Sequence, residues 1–243
     1  MPGRLKTQRR GRGTPKYLSS KKGIKCAYVN YDDKQKQNVL FGEVIDLKKT
    51  TARNSIVAIE RFLIDNKEIN TQVIAAEGLS IGQQVQYGIK AELAIGNVMP
   101  LSKIPEGCPV FNLEKTIGDG GTFLKSSGVY AILVTKDKKH AYIKLPSGKT
   151  KPFDLRVRAT IGCSACGGRT EKPFIKAGPK FFAMKKKKKM WPIVRGVAMN
   201  AAYHPHGGEQ HHVGKSKSVS RHASPGRKVG AIASKRTGRK KKN

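Results

Sequence analysis

The sequence predicts an all-β protein in which two small barrels follow one another and long basic extensions flank them. Three observations lead to this prediction: short runs of β-branched and aromatic residues, turn-forming residues between those runs, and an excess of positive charge confined to the two ends of the chain. The chain has 243 residues, with 49 Lys and Arg against 16 Asp and Glu, and a formal charge of +33.

The first predicted barrel contains five short strands with no strong helical period between them, which is typical of a small barrel of the oligonucleotide-binding type. Asp32-Asp33, Asp65-Asn66 and Gly82 separate the runs, because these residue types favour turns. We place this barrel at residues 26–95. Its predicted strands are 26–31, 39–47, 55–62, 68–75 and 85–89.

A second series of five runs predicts another barrel at residues 96–172, with turns at 118–121 and at Ser147-Gly148. Small barrels of this kind present loops on a rigid frame and have no deep catalytic cleft. The predicted strands of the second series are 95–99, 109–114, 129–134, 141–145 and 153–161.

The charge is distributed very unevenly along the chain. Residues 1–25 carry nine Lys or Arg and no acid, whereas residues 26–171 carry twenty basic and fifteen acidic side chains. Residues 172–243 carry twenty basic side chains and a single acid, Glu209. We assign residues 1–25 and 173–243 to basic extensions that bury too little apolar surface to fold alone and become ordered against a polyanion, nucleic acid first of all.

Several classes of protein are excluded at this point. No run of about 18 apolar residues exists, so no membrane-spanning helix is predicted. The first twelve residues are basic but lack the apolar stretch of a secretory signal, and four cysteines do not make a disulfide framework. We therefore expect a cytoplasmic protein with no membrane partner.

The histidines raise the question of a metal, since five of the six fall within nineteen residues. The nearest acid is Glu209, and the pair Cys163 and Cys166 lies about forty residues upstream, outside the usual spacing of a zinc finger. We expect no metal and no cofactor, and we interpret the cysteines as small apolar residues. A metal-dependent hydrolase is kept as an alternative; its ligands would be Cys163, Cys166, His204, His206, His211, His212 and His222.

The segment His204-Pro205-His206-Gly207-Gly208, called the histidine loop below, has the composition of a shaped turn. Proline fixes the backbone, and glycines permit positive φ and close approach of another backbone. Its imidazoles can stack on bases or donate to phosphates, while no nucleophile or orienting acid stands at an obvious spacing. The loop therefore indicates recognition and not catalysis by the protein.

A run of five lysines at 185–189, called the lysine run below, precedes Met190 and Trp191, the single tryptophan. One interpretation is a solvated run beside a core residue; the other, which we prefer in an acid-poor extension, is phosphate neutralisation with a base or ribose held by the aromatic ring. Arginines alternating with Gly, Ser or Pro suit phosphate contacts along a bending backbone.

Residues 191–200 and the histidine loop closely resemble the ribosomal protein L-two family of the large ribosomal subunit. Further blocks match in family order over nearly the whole chain, and the block at 167–173 is similar to the archaeal and eukaryotic branch. These blocks are residues 10–15, 104–107, 118–121, 125–128, 158–162, 167–173, 225–230 and 236–239.

The resemblance implies an oligonucleotide-binding barrel, then an SH3-like barrel, and extensions that thread into large-subunit rRNA. It implies neighbouring ribosomal proteins, an inter-subunit contact with the small subunit, structural Mg or K ions of the rRNA nearby, and His204 near a peptidyl transferase region where rRNA is the catalyst. The rRNA-binding residues expected are Arg9, Arg10, Arg12, Lys125, Arg169, Lys185, Lys186, Lys187, Lys188, Lys189, Trp191, Arg195, Met199, Asn200, His204, His206, Gly207, Arg221, Arg227, Lys228, Arg236 and Arg239.

The chain departs from the family pattern at two places. The family usually has an acid immediately before the histidine matching His204, and this chain has Tyr203. Cys163 and Cys166 stand where the family has small apolar residues or glycine, which argues against inherited zinc binding.

A third hypothesis stands beside the large-subunit component and the metal-dependent hydrolase. It is a free nucleic-acid chaperone that relies on charge alone.

Overall fold

The structure is a computed structural model in which the chain divides into two compact units. Lys21–Phe174 form one, called the β unit; Met1–Ser20 and Ile175–Asn243 form the other, called the extension unit. Strand is the main regular structure, so the predicted all-β class is confirmed, while the two barrel types and their boundaries stay predictions. The structure describes residues 5–18, 25–30, 37–50, 53–209, 212, 214, 216–236 and 238.

The β unit contains one ten-stranded sheet in the order β3-β2-β1-β4-β5-β10-β6-β7-β8-β9. Its pairs are antiparallel except β4 with β5, which meet in parallel where Tyr87 is opposite Val98. A 3₁₀ helix, Gly167–Thr170, follows the sheet. The strands are β1 (Val39–Lys49), β2 (Ile56–Ile64), β3 (Lys67–Ile74), β4 (Gln84–Gly88), β5 (Val98–Pro100), β6 (Pro109–Phe111), β7 (Ala131–Lys136), β8 (His140–Lys144), β9 (Thr150–Asp154) and β10 (Arg158–Ile161).

Local sequence accounts for the first hairpins. The turn between β2 and β3 is Asp65-Asn66, with φ of 51° and 60°, which confirms the predicted turn. Two-residue hairpin turns need positive φ, and Asp and Asn tolerate it better than most residues. In β1 the register shifts between Val44, opposite Glu60, and Asp46, opposite Ile59, so Ile45 is the extra residue of a β-bulge.

The predicted strand at 26–31 is wrong for residues 26–30, which have no regular secondary structure, and Tyr31 lies outside the described residues. Instead, Tyr28 enters the interior, 5% exposed, and its hydroxyl lies 2.6 Å from both the carbonyl of Asn112 and Oγ1 of Thr160. The run of apolar residues is buried as a strand would be, but here it packs as an irregular segment against distant parts of the chain.

The predicted single strand at 153–161 is also wrong, since the chain turns between β9 and β10. The carboxylate of Asp154 accepts bonds from the backbone N–H of Arg156 at 2.9 Å and from its guanidinium at 2.9 and 3.2 Å. This local pairing of Asp with Arg stabilises the turn in a stretch that otherwise reads as continuous strand.

Two main apolar clusters lie in the β unit, one for each half of the sheet. The first contains Phe62 and Tyr87, whose ring centroids are 4.9 Å apart, and Tyr28 packs edge-on against Tyr87 at 5.8 Å. The second contains fully buried aliphatic residues of the later strands, such as Leu133 and Ile143. Each half therefore has its own core, although the strands form one continuous sheet.

A buried ion pair ties the later strands to the glycine-rich turn at 118–121. Arg158 and Glu114 are 1% and 0% exposed and approach to 2.7 Å. The Glu114 carboxylate also accepts the backbone N–H groups of Arg158 and Gly120, at 2.9 and 3.2 Å. The guanidinium donates to the carbonyl of Val29 at 2.9 Å, so one arginine holds three chain segments together.

A second buried carboxyl, Glu60, bonds the hydroxyl of Tyr87 at 2.6 Å. Burial raises the pKa of Glu60 to about 8, against the lowering effect of that hydrogen bond. Because burial penalises the charged form, the carboxyl is protonated at neutral pH. The polar side chains around the Glu60 carboxyl are those of Tyr28, Tyr87 and Arg158.

We expect this carboxyl to make the β unit less stable as pH rises. A folded-state pKa above the ordinary 4.5 means that the stabilisation is fully present below that value and is lost as pH rises toward 8. Between about pH 5 and pH 8 the free energy of unfolding should fall by at most about 1.4 kcal/mol per pH unit. Urea unfolding at stepped pH measures this. Glu60→Gln should flatten the profile and the exposed Glu43→Gln should not; an unchanged slope in E60Q contradicts the assignment.

The extension unit contains α1 (Lys6–Gly11), α2 (Ala177–Lys186), a 3₁₀ helix (Gly196–Ala198) and a parallel pair of two-residue strands, β11 (Ser218–Val219) and β12 (Ala231–Ile232). Its beginning and end contact each other: Gln8 Nε2 donates to the carbonyl of Pro225 at 3.3 Å, and the Tyr17 hydroxyl lies 3.7 Å from Sδ of Met190. The two sequence extensions are therefore parts of one unit. Among the described residues, none of the helices has the length and apolar composition of a membrane span.

Candidate nucleic-acid interface

The extension unit presents its charge outward. Glu209 is the single acid in its sequence. Exposed side chains among the predicted rRNA-binding residues of this unit include those of Arg9, Arg12, Arg195, Arg221, Arg227, Lys228 and Arg236. Arg10 belongs to α1, but the structure does not describe its side chain. Arg239 lies outside the described residues. An exposed, nearly acid-free cationic surface is the electrostatic footprint of a nucleic-acid ligand.

The histidine loop is held by backbone bonds to the segment before it. Asn200 accepts the N–H groups of Tyr203 and His204 through its carbonyl, at 3.0 and 3.3 Å, and its side-chain oxygen accepts the N–H of Ala202 at 3.0 Å. The carbonyl of Met199 accepts the N–H of Gly208 at 3.1 Å. Met199 and Asn200, predicted to contact rRNA, thus have a clear role in shaping the loop.

The two loop glycines are required for different reasons. Gly208 has φ of +99°, which side chains rarely adopt. Gly207 has no positive φ, but a Cβ there would lie 2.4 Å from the carbonyl oxygen of Met199 and 2.5 Å from that of Asn200. Close approach of backbone, and not conformational freedom, requires glycine at 207.

His204 lies against the backbone of Gly196, where a Cβ would meet its ring at 2.1 Å. Its Nδ1 accepts the N–H of His206 at 3.0 Å, which places the proton of the neutral ring on Nε2. Burial lowers the pKa of His204, and the nearby His206, with ring centroids 5.1 Å apart, acts in the same direction. The neutral ring can therefore donate a hydrogen bond from Nε2, and within the described residues no carboxylate bonds it.

A cleft of about 760 Å³ opens beside the histidine loop. Serine hydroxyls and the exposed Arg227 line it together with the two imidazoles, a set of donors suited to phosphate oxygens. At its edge Gly230 has φ of +85°, and a Cβ there would lie 2.7 Å from the carbonyl of Lys217 and 2.9 Å from the His206 ring. This contact accounts for the glycine that ends the block at 225–230.

The lysine run continues α2 and then ends it. Lys188 has φ of +56°, its N–H bonds the carbonyl of Lys185 at 3.0 Å, and the N–H of Lys189 bonds the carbonyl of Met184 at 2.9 Å. This is a Schellman turn, in which the left-handed position is usually glycine. A lysine there costs roughly 1 kcal/mol of strain, so the turn holds a positive charge at the expense of stability.

Lys188→Gly should therefore stabilise the extension unit by up to about 1 kcal/mol while weakening RNA binding. The slope of log affinity against log salt should become less negative by about 0.7 to 0.9, which is the contribution of one phosphate contact. Thermal unfolding and RNA binding across salt measure the two effects. Lys185→Gly is the matched control, because it removes the same charge inside α2, where glycine destabilises by about 1 kcal/mol. Equal destabilisation by both changes contradicts the role of the turn.

Trp191 is half-buried, follows the lysine run and Met190, and has a cis peptide bond to Pro192. The ammonium of Lys180 lies 5.6 Å from its ring centroid, within the range of a cation–π contact. Tyr17 and Phe181 line the same pocket as Trp191, and neither is among the rRNA-binding residues expected from the sequence. The sequence signal that could have identified them is that both are aromatic residues within acid-free stretches.

Lys125 belongs to the β unit and makes internal contacts. Its ammonium donates to the carbonyls of Cys26, at 2.9 Å, and Gly121. Burial lowers the pKa of Lys125, and Arg53 acts in the same direction. The side chain joins segment 25–30 to the glycine-rich turn, and its contact with rRNA stays a prediction.

Arg169, also in the β unit, is exposed, and its Nε donates to Ser127 Oγ at 3.2 Å. The neighbouring glycines are structural: a Cβ on Gly128, where φ is +67°, would lie 2.3 Å from Cα of Gly167. The blocks at 125–128 and 167–173 are thus adjacent in space, and this contact positions Arg169.

The geometry of the cysteines does not favour a metal. Across the described residues, no group of three or more His, Cys, Asp and Glu is arranged to hold a metal ion; His211 lies outside them. The thiol of Cys163 bonds the carboxylate of Glu77 at 3.1 Å, and burial and this carboxylate raise its pKa. A raised pKa opposes the thiolate that zinc requires.

Comparison with known proteins decides the family. A family model described as Ribosomal Proteins L2, C-terminal domain, matches residues 94–227. A protein of Methanococcus maripaludis named large ribosomal subunit protein uL2 is 49% identical over 240 residues, covering 98% of this chain and 99% of that protein. The chain belongs to the ribosomal protein L2 family.

Two further L2 relatives carry the same name. That of Methanosphaera stadtmanae is 49% identical over 241 residues, 98% of this chain and 99% of its own length. That of Haloarcula marismortui is 48% identical over 237 residues, 97% of each. The resemblance inferred from the sequence blocks is thereby confirmed, and the matched L2 segment includes the histidine loop and ends at Arg227.

Proposed function

We propose that the extension unit is the main part of this L2-family protein that binds large-subunit rRNA, with Lys125 and Arg169 as further contacts from the β unit. The protein is a structural component of the large ribosomal subunit, as its family membership establishes. The observation that carries the finer proposal is the exposed cationic surface around the histidine loop, on a unit whose sequence holds one acid.

The shape of the histidine loop supports binding of folded RNA over coating of any polyanion. Backbone contacts at 196, 199, 200 and 230 fix the loop, and charge neutralisation alone needs no fixed loop. Phosphate contacts position a protein on nucleic acid, whereas a rigid surface selects RNA shape. We further propose that the loop lies near the peptidyl transferase region and donates from the neutral His204, with rRNA as the catalyst.

The test is binding of the full chain to protein-free large-subunit rRNA across salt concentrations. If about ten phosphates are engaged, log affinity should fall against log salt with a slope of about −7 to −9. Arg227→Gln should reduce the slope by about 0.7 to 0.9. The matched control is Arg156→Gln, an exposed arginine of the β unit already paired with Asp154, which should change nothing. A slope near zero overturns the proposal.

The free nucleic-acid chaperone is the second candidate, favoured only by the total charge. This hypothesis predicts that the protein binds unrelated RNA as tightly as rRNA. It also predicts that the protein is distributed freely among nucleic acids in cell extracts. A large-subunit component sediments with large subunits through a salt wash. Contacts with neighbouring ribosomal proteins and with the small subunit belong to the same proposal and are tested by cross-linking in assembled particles.

A further inference from the structure

A pocket of about 340 Å³ lies within the extension unit, apart from the histidine loop in sequence. Three aromatic side chains line it, Tyr17, Phe181 and Trp191, together with Met190. Four lysine side chains line the same pocket, among them Lys185 and Lys188. The site thus combines flat apolar surfaces with a cationic border.

The walls are held by contacts of their own. The hydroxyl of Tyr17 bonds Sδ of Met190 at 3.7 Å, which connects the beginning of the chain to the segment after α2. Lys180 lies 5.6 Å from the Trp191 ring, and the Schellman turn fixes Lys188 and Lys189. The side chain of Phe181 is nevertheless 41% exposed and Trp191 is half-buried, so aromatic surface faces the opening.

The chemistry of this lining selects the ligand. Aromatic rings favour a flat π-system, and lysines favour phosphate oxygens, which together describe a nucleotide. A lysine border disfavours a basic protein segment, and a paired base in a helix cannot reach aromatic walls because it is stacked. Resting on the proposed function, we infer that this pocket receives one unpaired nucleobase of the rRNA, with its flanking phosphates on the lysines.

Trp191 makes the inference testable, since it is the only tryptophan in the chain. The full chain is titrated with a hexamer of adenylate and with a hexamer of the same length and charge that lacks bases, and Trp191 fluorescence is followed at fixed salt. Stacking on an aromatic side chain contributes about 1 to 3 kcal/mol per base. The adenylate should therefore bind at least about fivefold more tightly than the abasic hexamer and should quench Trp191.

Adjacent phenylalanines provide matched variants. Phe181→Ala should remove most of the preference for the base-containing hexamer. Phe182→Ala should keep most of it, because Phe182 is 66% exposed and outside the pocket, although its ring centroid lies 5.6 Å from that of Phe181. Alanine suits a helix, so α2 should be preserved in both. Tyr17→Phe should keep the preference because the ring remains, and Tyr17→Ala should lose it.

The outcomes separate this inference from the proposed function. Equal binding of both hexamers, or an unchanged preference in Phe181→Ala, overturns the base pocket while salt-dependent rRNA binding stands. A salt slope near zero for rRNA overturns the proposed function itself. An equal loss of affinity for both hexamers in Phe181→Ala shows a general disturbance and also overturns the inference.

Discussion

Replacement of Gly207 by valine is expected to reduce assembled large subunits at least about tenfold in cells that carry the variant as the only copy. A Cβ at this position would lie 2.4 to 2.5 Å from two backbone carbonyl oxygens, neither of which can turn aside as a side chain would. Overpacking of this kind costs on the order of 3 kcal/mol, and a tenfold change needs only about 1.4 kcal/mol. Sedimentation of ribosomal particles measures the yield.

The matched control is Gly178→Val in α2, where nothing lies within 4 Å of the added Cβ. This variant should assemble normally. The Gly207 variant should also keep the unfolding transition of the β unit, because the loop belongs to the other unit. Normal subunit yield with Gly207→Val would show that the loop does not need its described shape.

Arg158→Met is expected to destabilise the β unit by about 3 to 5 kcal/mol, the usual cost of leaving one partner of a buried ion pair behind. Glu114 would keep backbone donors but would lose the guanidinium at 2.7 Å, and segment 25–30 would lose its bond at Val29. Urea unfolding of the purified chain gives the free energy directly.

Arg61→Met tests the same chemistry at the surface. Arg61 pairs with Glu43 at 3.0 Å, but both side chains are more than 40% exposed, so the change should cost at most about 1 kcal/mol. Adding Glu114→Gln to Arg158→Met should recover part of the loss because the unpaired charge is removed. Similar costs for the two arginine variants would contradict the assigned importance of burial.

Features that depend on neighbours in sequence could be predicted. The turn at Asp65-Asn66 and the shaped histidine loop follow from local backbone preferences, and the charge partition identified the extensions as the RNA-binding part to be tested. Tyr28 shows where this reasoning ends: its segment is a run of strand-forming residues, yet its hydroxyl bonds residues 84 and 132 positions away. No local pattern reports such partners.

The candidate site divides in the same way. The glycines, the lysine run and Trp191 were visible as motifs, because special backbone geometry and charge leave marks in composition. The pairing of Tyr17 with Met190, 173 positions apart, and the internal use of the Lys125 ammonium were not visible. Both depend on which distant groups the fold brings within hydrogen-bond distance.

Gln8 contacts Pro225, which lies 217 positions later in the chain. The two sides of this contact are therefore synthesised at different times. During synthesis the first segment emerges long before its partner, while Lys21–Phe174 can fold in between, since they form a unit of their own. The extension unit is complete only when nearly the whole chain has been translated. The full chain, and not a nascent fragment, therefore contains the complete extension unit.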